Sequence, residues 1–235
     1  MIRDIFENHG ITITEEQEQK LNQYYDLLID WNDKINLTSI VEYEEVIWKH
    51  FLDSAFFVSC DKVDLKEKKK VLDLGTGAGF PGMVLAILCP NYEFVLADSL
   101  NKRIEFLKVV IDRLQIHNVS VIHGRAEELG RDENFRNQFD YVVSRAVAEL
   151  PVLLEYCIPF VKKGGYFVSY KSRRLDEEIE NADNALNMLY TKYEKKYKYE
   201  LEYDHSERYL VFFRCENITD SKYPRKPKKI KTNPL

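Results

Sequence analysis

Long apolar runs are missing from this 235-residue chain: charged residues make up 31% of it and break every stretch well short of the roughly 20 apolar residues that a membrane-spanning helix needs. The N-terminal Met1-Ile-Arg-Asp-Ile-Phe-Glu has neither the basic start nor the apolar centre of a secretion signal. A cytoplasmic protein without membrane attachment is the expectation. Cysteine is scarce and scattered: Cys60, Cys89, Cys157 and Cys215 form no C-x-x-C pair and have no histidine at ligand spacing. That pattern points to buried free thiols, not to disulfides or zinc, and no metal is expected. An excess of positive charge is also lacking. The formal net charge is −5, so any attraction to nucleic acid must come from a local patch. What remains, 45% hydrophobic with charge throughout, suits one substantial core with a smaller appendage, expected as a monomer.

The first sixty or so residues have helical patterning. Thr14-Glu-Glu-Gln17 has the form of a capping box, and Leu21, Tyr24, Leu28 and Trp31 follow at helical spacing. A second helical stretch is expected from about Tyr43 to Phe57. The charged run Lys66 to Lys70 marks a boundary, most simply a solvated connector.

From Val71 the pattern alternates. Strands are expected at Val71–Leu74, Phe94–Ala97, Val119–Ile122, Tyr141–Ser144 and Tyr166–Tyr170, the last preceded by a turn at Gly164-Gly165. Helices are expected at Pro81–Leu88 and Lys102–Leu114. Strands separated by helices imply a parallel sheet covered on both faces. The end differs. Tyr197, Tyr199, Leu201 and Tyr203 alternate with Lys198, Glu200 and Glu202, and Tyr209–Phe213 follows after only the short Asp204–Glu207 connection. Strands joined so closely must pair antiparallel, because a parallel crossover needs about a dozen residues or more. The expected fold is therefore α/β: a Rossmann-like, mostly parallel seven-stranded sheet finished by a C-terminal antiparallel hairpin and preceded by a small helical region. That is the architecture of class I methyltransferases dependent on S-adenosylmethionine (SAM). The expected division is 1–66 for the helical region, 67–216 for the SAM-binding domain and 217–235 for a basic tail. In that tail Lys222, Arg225, Lys226, Lys228, Lys229 and Lys231 occur among three prolines. A solubilising tail and a phosphate-contacting arm fit it equally.

In an open α/β sheet, ligands bind beyond the carboxyl ends of the strands at the switch point. The run Asp73-Leu-Gly-Thr-Gly-Ala-Gly79 falls there. Its glycines let the backbone turn tightly against a bulky ligand, and their G-x-G-x-G spacing departs from the dinucleotide fingerprint G-x-G-x-x-G. Asp98, at the end of the second strand, is placed to accept from ribose hydroxyls. Asp73 is expected to brace the loop through backbone N–H groups, contact with the methionine ammonium being the alternative. Ala126 and Glu127, after the third strand, are candidates at the adenine edge. After the fourth strand, Ser144-Arg-Ala-Val-Ala148 lacks the Pro-Pro-aromatic motif common in methyltransferases of exocyclic amines. Arg145 there could hold the methionine carboxylate, a phosphate or a base, or be a surface ion pair.

The chain resembles the bacterial glucose-inhibited division protein B family, small-subunit (16S) ribosomal RNA guanine-N7 methyltransferases. The resemblance rests on Trp31-Asn-Asp-Lys-Ile-Asn-Leu-Thr38, His50-Phe-Leu-Asp-Ser54, Asp73 to Gly82, Asp98 to Arg103, Gly124-Arg-Ala-Glu127, Ser144-Arg-Ala146 and Tyr223-Pro-Arg225. It implies SAM contacts at Gly75, Phe80, Ala126, Glu127 and Arg145, to which the loop reading adds Gly77 and Asp98. It also implies that the amino-terminal helices and basic tail serve recognition of small-subunit ribosomal RNA or a ribosomal particle. One departure is visible: the family tail carries Arg-x-Pro-Gly where this chain has Arg225-Lys-Pro-Lys228.

Methylation at guanine N7 needs no general base, since that nitrogen holds a free in-plane lone pair. No catalytic residue is assigned; Asp53 and Arg145 are the candidates. Asp53, three residues after His50 on a helical face, is expected to position the base, so that its removal would lower methylation with little loss of stability. Two other readings stay open on the residues: a SAM-dependent methyltransferase for another substrate, and a non-catalytic SAM-binding ribosome assembly factor.

Overall fold

The computed structural model describes residues 1–145, 148–172 and 175–235. Its helices begin with α1 (Ile2–Asn8) and α2 (Glu15–Ile35). The capping box closes as expected: Thr14 Oγ1 accepts from Gln17 N at 3.2 Å and Gln17 Oε1 from Thr14 N at 2.9 Å, a cap worth about 1 kcal/mol. The Gln17 amide also donates to the Ile87 carbonyl at 3.0 Å, tying α2 to a helix far along the chain. α2 ends at Asn36, in the left-handed region at φ 47°. The Asn32 side chain accepts from Leu37 N and Thr38 N at 2.7 and 2.8 Å, which explains two asparagines in that motif. The second helical stretch is longer and less regular than expected: α3 (Tyr43–Val46), a π turn (Ile47–Leu52), α4 (Asp53–Ala55) and a 3₁₀ turn (Phe56–Ser59). Single π turns inside helices often occur at functional sites.

The sheet contains β1 (Lys70–Leu74), β2 (Glu93–Asp98), β3 (Val119–His123), β4 (Phe139–Arg145), β5 (Val161–Lys171), β6 (Thr191–Leu201) and β7 (Ser206–Cys215), in the order β3-β2-β1-β4-β5-β7-β6. The first five pair in parallel. β7 lies antiparallel to both β5 and β6, the predicted terminal hairpin. Two details differ from expectation. Gly164-Gly165 lies inside β5, in a bulge where pairing jumps from Phe139↔Val161 to Tyr141↔Tyr166, with Gly164 at φ 84°. A bulge accommodates extra residues without ending the strand. Tyr203 belongs to the turn after β6 and is exposed.

Between the strands run α5 (Gly82–Leu88), α6 (Asn101–Leu114), α7 (Ala126–Leu129), α8 (Leu150–Cys157), α9 (Leu175–Glu180) and α10 (Asp183–Met188), with α11 (Pro227–Thr232) near the C-terminus. Two apolar clusters sandwich the sheet. One joins α1, α2 and the Tyr43–Ser59 run to α5, α6 and Phe212. The other joins α8 and α10 to Tyr223 and Ile230. The amino-terminal region therefore has no core of its own. All four cysteines are buried and unbonded to one another.

The C-terminal segment is docked rather than loose. Glu155 of α8, fully buried, accepts from Arg225 N at 2.7 Å, Arg225 Nε at 2.8 Å and Arg225 Nη2 at 2.6 Å. Arg136 donates to the carbonyls of Thr219, Asp220 and Tyr223 at 2.7–3.0 Å, and Arg131 donates to Pro224 O at 2.6 Å. Tyr223 and Ile230 are buried, whereas Lys222, Lys226, Lys228, Lys229 and Lys231 are exposed. The basic run thus divides into one internal arginine and five solvated lysines.

Candidate cofactor and substrate cavity

Strand order reverses between β1 and β4, and there the carboxyl ends of the strands open into a cavity of about 1070 Å³. Ligand pockets run to roughly 300–1,000 Å³, so the space is ample for a nucleoside cofactor with part of a second ligand. Its floor is the loop after β1. Gly75, Gly77 and Gly79 lie at φ 75°, 61° and 102°, values at which a side chain is strained. Gly75 N and Thr76 N donate to Ala97 O at 2.9 and 3.1 Å, pinning the loop to β2. A Cβ added at Gly77 would meet nothing within 4 Å, whereas one at Gly79 would collide with the Tyr24 hydroxyl and lie 2.9 Å from Leu107. The first glycine keeps the cavity free; the second admits the packing of α2. That packing includes a hydrogen bond from the Tyr24 hydroxyl to Ala78 O.

Asp73 braces the loop, though mostly through another side chain and helix α5. Its Oδ2 accepts from Thr76 Oγ1 at 2.6 Å and Gly82 N at 2.8 Å, while Oδ1 is buried without a hydrogen-bond partner. Burial pushes its carboxyl up to about 6, against the opposing effect of those two hydrogen bonds.

Asp98 lies on the cavity wall, 3% exposed. Its Oδ2 accepts from Gly77 N at 2.9 Å and Arg103 Nη1 at 3.1 Å, and its Oδ1 from Leu100 N at 2.9 Å. A carboxylate offers about four acceptor positions, so roughly one is left for a ribose hydroxyl rather than the pair anticipated. Gly124, Ala126 and Glu127 line the same end of the cavity. These surroundings suit an adenosine: open space over Gly77, a carboxylate with spare capacity and backbone at the rim.

The other end is assembled from parts of the chain far apart in sequence. Arg145, at the end of β4, donates from Nη1 to Asp53 Oδ2 at 2.7 Å and to Lys49 O at 3.3 Å. The Arg145 and Asp53 side chains are only 14% and 6% exposed, so this is a buried ion pair and not a surface one. Asp53 Oδ1 accepts from the Tyr199 hydroxyl at 2.8 Å. The Arg145 guanidinium sits 5.3 Å from the centre of the Phe80 ring, on which His50 stacks at 4.4 Å. His50 Nε2 pairs with Thr38 Oγ1 at 2.9 Å. Burial, then the Arg145 charge, pushes His50 down to about 3. It is neutral at ordinary pH. Every expected site residue borders this cavity: Asp53, Gly75, Gly77, Phe80, Asp98, Ala126, Glu127 and Arg145. Ala146 and Val147 of the Ser144–Ala148 run lie outside the described residues. Tyr199 and Arg208 were not anticipated: Tyr199 read only as a position in a hairpin strand, and Arg208 fell between the expected connection and the expected last strand, although β7 begins at Ser206.

The family model described as GidB, rRNA small subunit methyltransferase G, matches residues 17–205. Ribosomal RNA small subunit methyltransferase G of Alkaliphilus metalliredigens is 46% identical over 228 residues, covering 97% of this chain and 94% of that protein. The protein of the same name from Lachnoclostridium phytofermentans is 49% identical over 216 residues, covering 92% and 88%. Among solved structures, a SAM dependent methyltransferase from Aquifex aeolicus superposes with a TM-score of 0.55 at 17% identity, over 76% of this chain and 96% of its own. The Methanococcus jannaschii fibrillarin pre-rRNA processing protein gives 0.52 at 19% identity, over 66% and 70%. At such identities the two structures speak for the fold alone.

Proposed function

The chain belongs to the GidB family, rRNA small subunit methyltransferase G, and from that membership we propose that it transfers a methyl group from SAM to N7 of a guanine in small-subunit (16S) ribosomal RNA. The observation that carries the cofactor half of this reading is the open space over Gly77, bounded by Asp98 and Glu127. Gly75 and Gly77 would give the cofactor a flat backbone face, Phe80 a wall, Asp98 a bond to one ribose hydroxyl, and Ala126 and Glu127 the adenine rim. When bound, SAM supplies a methyl group already activated by its sulfonium.

The residues at the other end support an acceptor that needs no deprotonation. His50 stays neutral and engaged with Thr38, and Asp53 is occupied by Arg145 and Tyr199. Both are already engaged by neighbouring side chains. Their part is to hold Arg145 and Phe80 in place, so that proximity and orientation supply most of the acceleration. The amino-terminal helices and the five solvated lysines of the C-terminal segment are assigned to recognition of the RNA or the ribosomal particle. No helix among the described residues is long and apolar enough to cross a membrane; a cytoplasmic location and a monomeric state are part of the proposal.

Incubation with tritiated SAM and small subunits from cells lacking the modification tests the reading. Label should map to one guanine and be released with the strand scission characteristic of N7-methylguanine. Label on another base, or in protein, would refute it.

A further inference from the structure

The cations bordering the cavity are not equally neutralised. Lys49 is held by Glu45 at 2.7 Å and Asp204 at 3.1 Å, Lys171 by Glu178 at 2.6 Å, and Arg103 by Asp98 at 3.1 Å. Arg145 has Asp53 Oδ2. Arg208 differs. Its Nε is 3.9 Å from Asp53 Oδ1, and that oxygen already accepts from Tyr199. Its Nη1 donates to the Glu207 carbonyl at 3.2 Å, and among the described residues its Nη2 has no hydrogen-bond partner. One carboxylate therefore faces two guanidinium groups. With His50 neutral, the cluster keeps one positive charge in excess.

Placement adds to this. Arg208 stands opposite Tyr199 in the hairpin register and next to Tyr209, which pairs with Lys171 at the carboxyl end of β5. Its side chain is 25% exposed against 14% for Arg145. Both border the cavity, and Arg208 is the more exposed of the two. A guanidinium with donors to spare bordering such a cavity suits a phosphate, which its planar fork can grip through two oxygens.

We propose that Arg208, together with Arg145, forms an anion subsite that takes a backbone phosphate of the RNA beside the target guanine. This rests on the function proposed above. The phosphate contact fixes the strand and leaves base selection to other groups.

Arg208→Gln and Arg208→Lys variants test it, by steady-state methylation of small subunits across a range of salt concentrations and by calorimetry with S-adenosylhomocysteine. Arg208→Gln should raise KM for the subunits about tenfold and reduce the slope of log KM against log salt by about 0.7 to 0.9, the amount for one lost phosphate contact. Arg208→Lys should regain most of the slope, and affinity for S-adenosylhomocysteine should stay within about twofold in both, since Arg208 touches only the far end of the cavity. Matching KM and slope in Arg208→Gln and the unaltered protein would overturn the subsite while leaving the methyltransferase reading intact. Loss of S-adenosylhomocysteine affinity together with the change in KM would make Arg208 structural and overturn it too. Failure of the unaltered protein to methylate subunits would instead sink the proposed function.

Discussion

Asp53 and Arg145, 92 residues apart in sequence, meet in a buried ion pair at 2.7 Å. The pair joins the amino-terminal helices to the fourth strand, with Tyr199 of the terminal hairpin on the second carboxylate oxygen. Removing one partner of such a pair leaves the other charged and desolvated, a loss of about 3–5 kcal/mol. Asp53→Ala should therefore lower stability as well as methylation, unlike the clean separation expected from its sequence context. Denaturant unfolding checks this: a shift below about 1 kcal/mol would mean that Arg145 relaxes into solvent.

Gly77 and Gly79 should fail in different ways. Gly77→Ala places its methyl in open cavity at φ 61°, so it should fold with about 1–2 kcal/mol of backbone strain and bind S-adenosylhomocysteine at least about tenfold more weakly. Gly79→Ala drives a methyl against the Tyr24 hydroxyl and Leu107 and should fail to give soluble protein. Calorimetry and expression yield separate the two; normal cofactor affinity in Gly77→Ala would remove that glycine from the site.

The docked C-terminal segment changes how its charge must be tested. Truncation would strip Tyr223 and Ile230 from the core and leave Glu155 buried without Arg225, so lost activity would mean little. Replacing Lys226, Lys228 and Lys229, all exposed, by Gln should leave the melting temperature within about 2 °C and flatten the salt dependence of binding to small subunits. An unaltered slope would leave these lysines a solubilising role only. Arg225→Ala should cost about 3–5 kcal/mol of stability instead.

Asp73 sets a pH dependence of stability. Its folded carboxyl is raised from 3.8 to about 6, so between those values the folded state keeps a proton that the unfolded state has released. Stability from this group is full below 3.8 and declines as pH rises through 6, by about 3 kcal/mol in all. Urea unfolding of the unaltered protein and of Asp73→Asn should give a difference that grows in favour of the variant from pH 4 to 7. A constant difference would show that the carboxyl ionises normally.

The terminal hairpin was legible because alternation between Tyr197 and Leu201 and a short connection leave antiparallel pairing as the sole solution. The glycine loop was legible because its residue types are demanded by backbone geometry. Gly164-Gly165 misled, since a glycine pair marks a turn and a bulge alike. That Asp98 ends the second strand was legible, but the bonds it accepts from Gly77, Leu100 and Arg103 depend on a loop conformation that no local pattern encodes. Arg225 was marked only as part of a family motif and a basic run, and neither pattern reveals that its partner is the buried Glu155.

The sequence by itself determined the order of elements, the hairpin and the position of the cofactor loop, because periodicity, turn chemistry and glycine's missing side chain act within a few residues. Only the tertiary structure decided which charges are neutralised. Whether Arg145, Arg208 or Arg225 meets a carboxylate depends on strands and helices brought together across the whole chain, and electrostatic energy follows distance in space and burial, not separation in sequence.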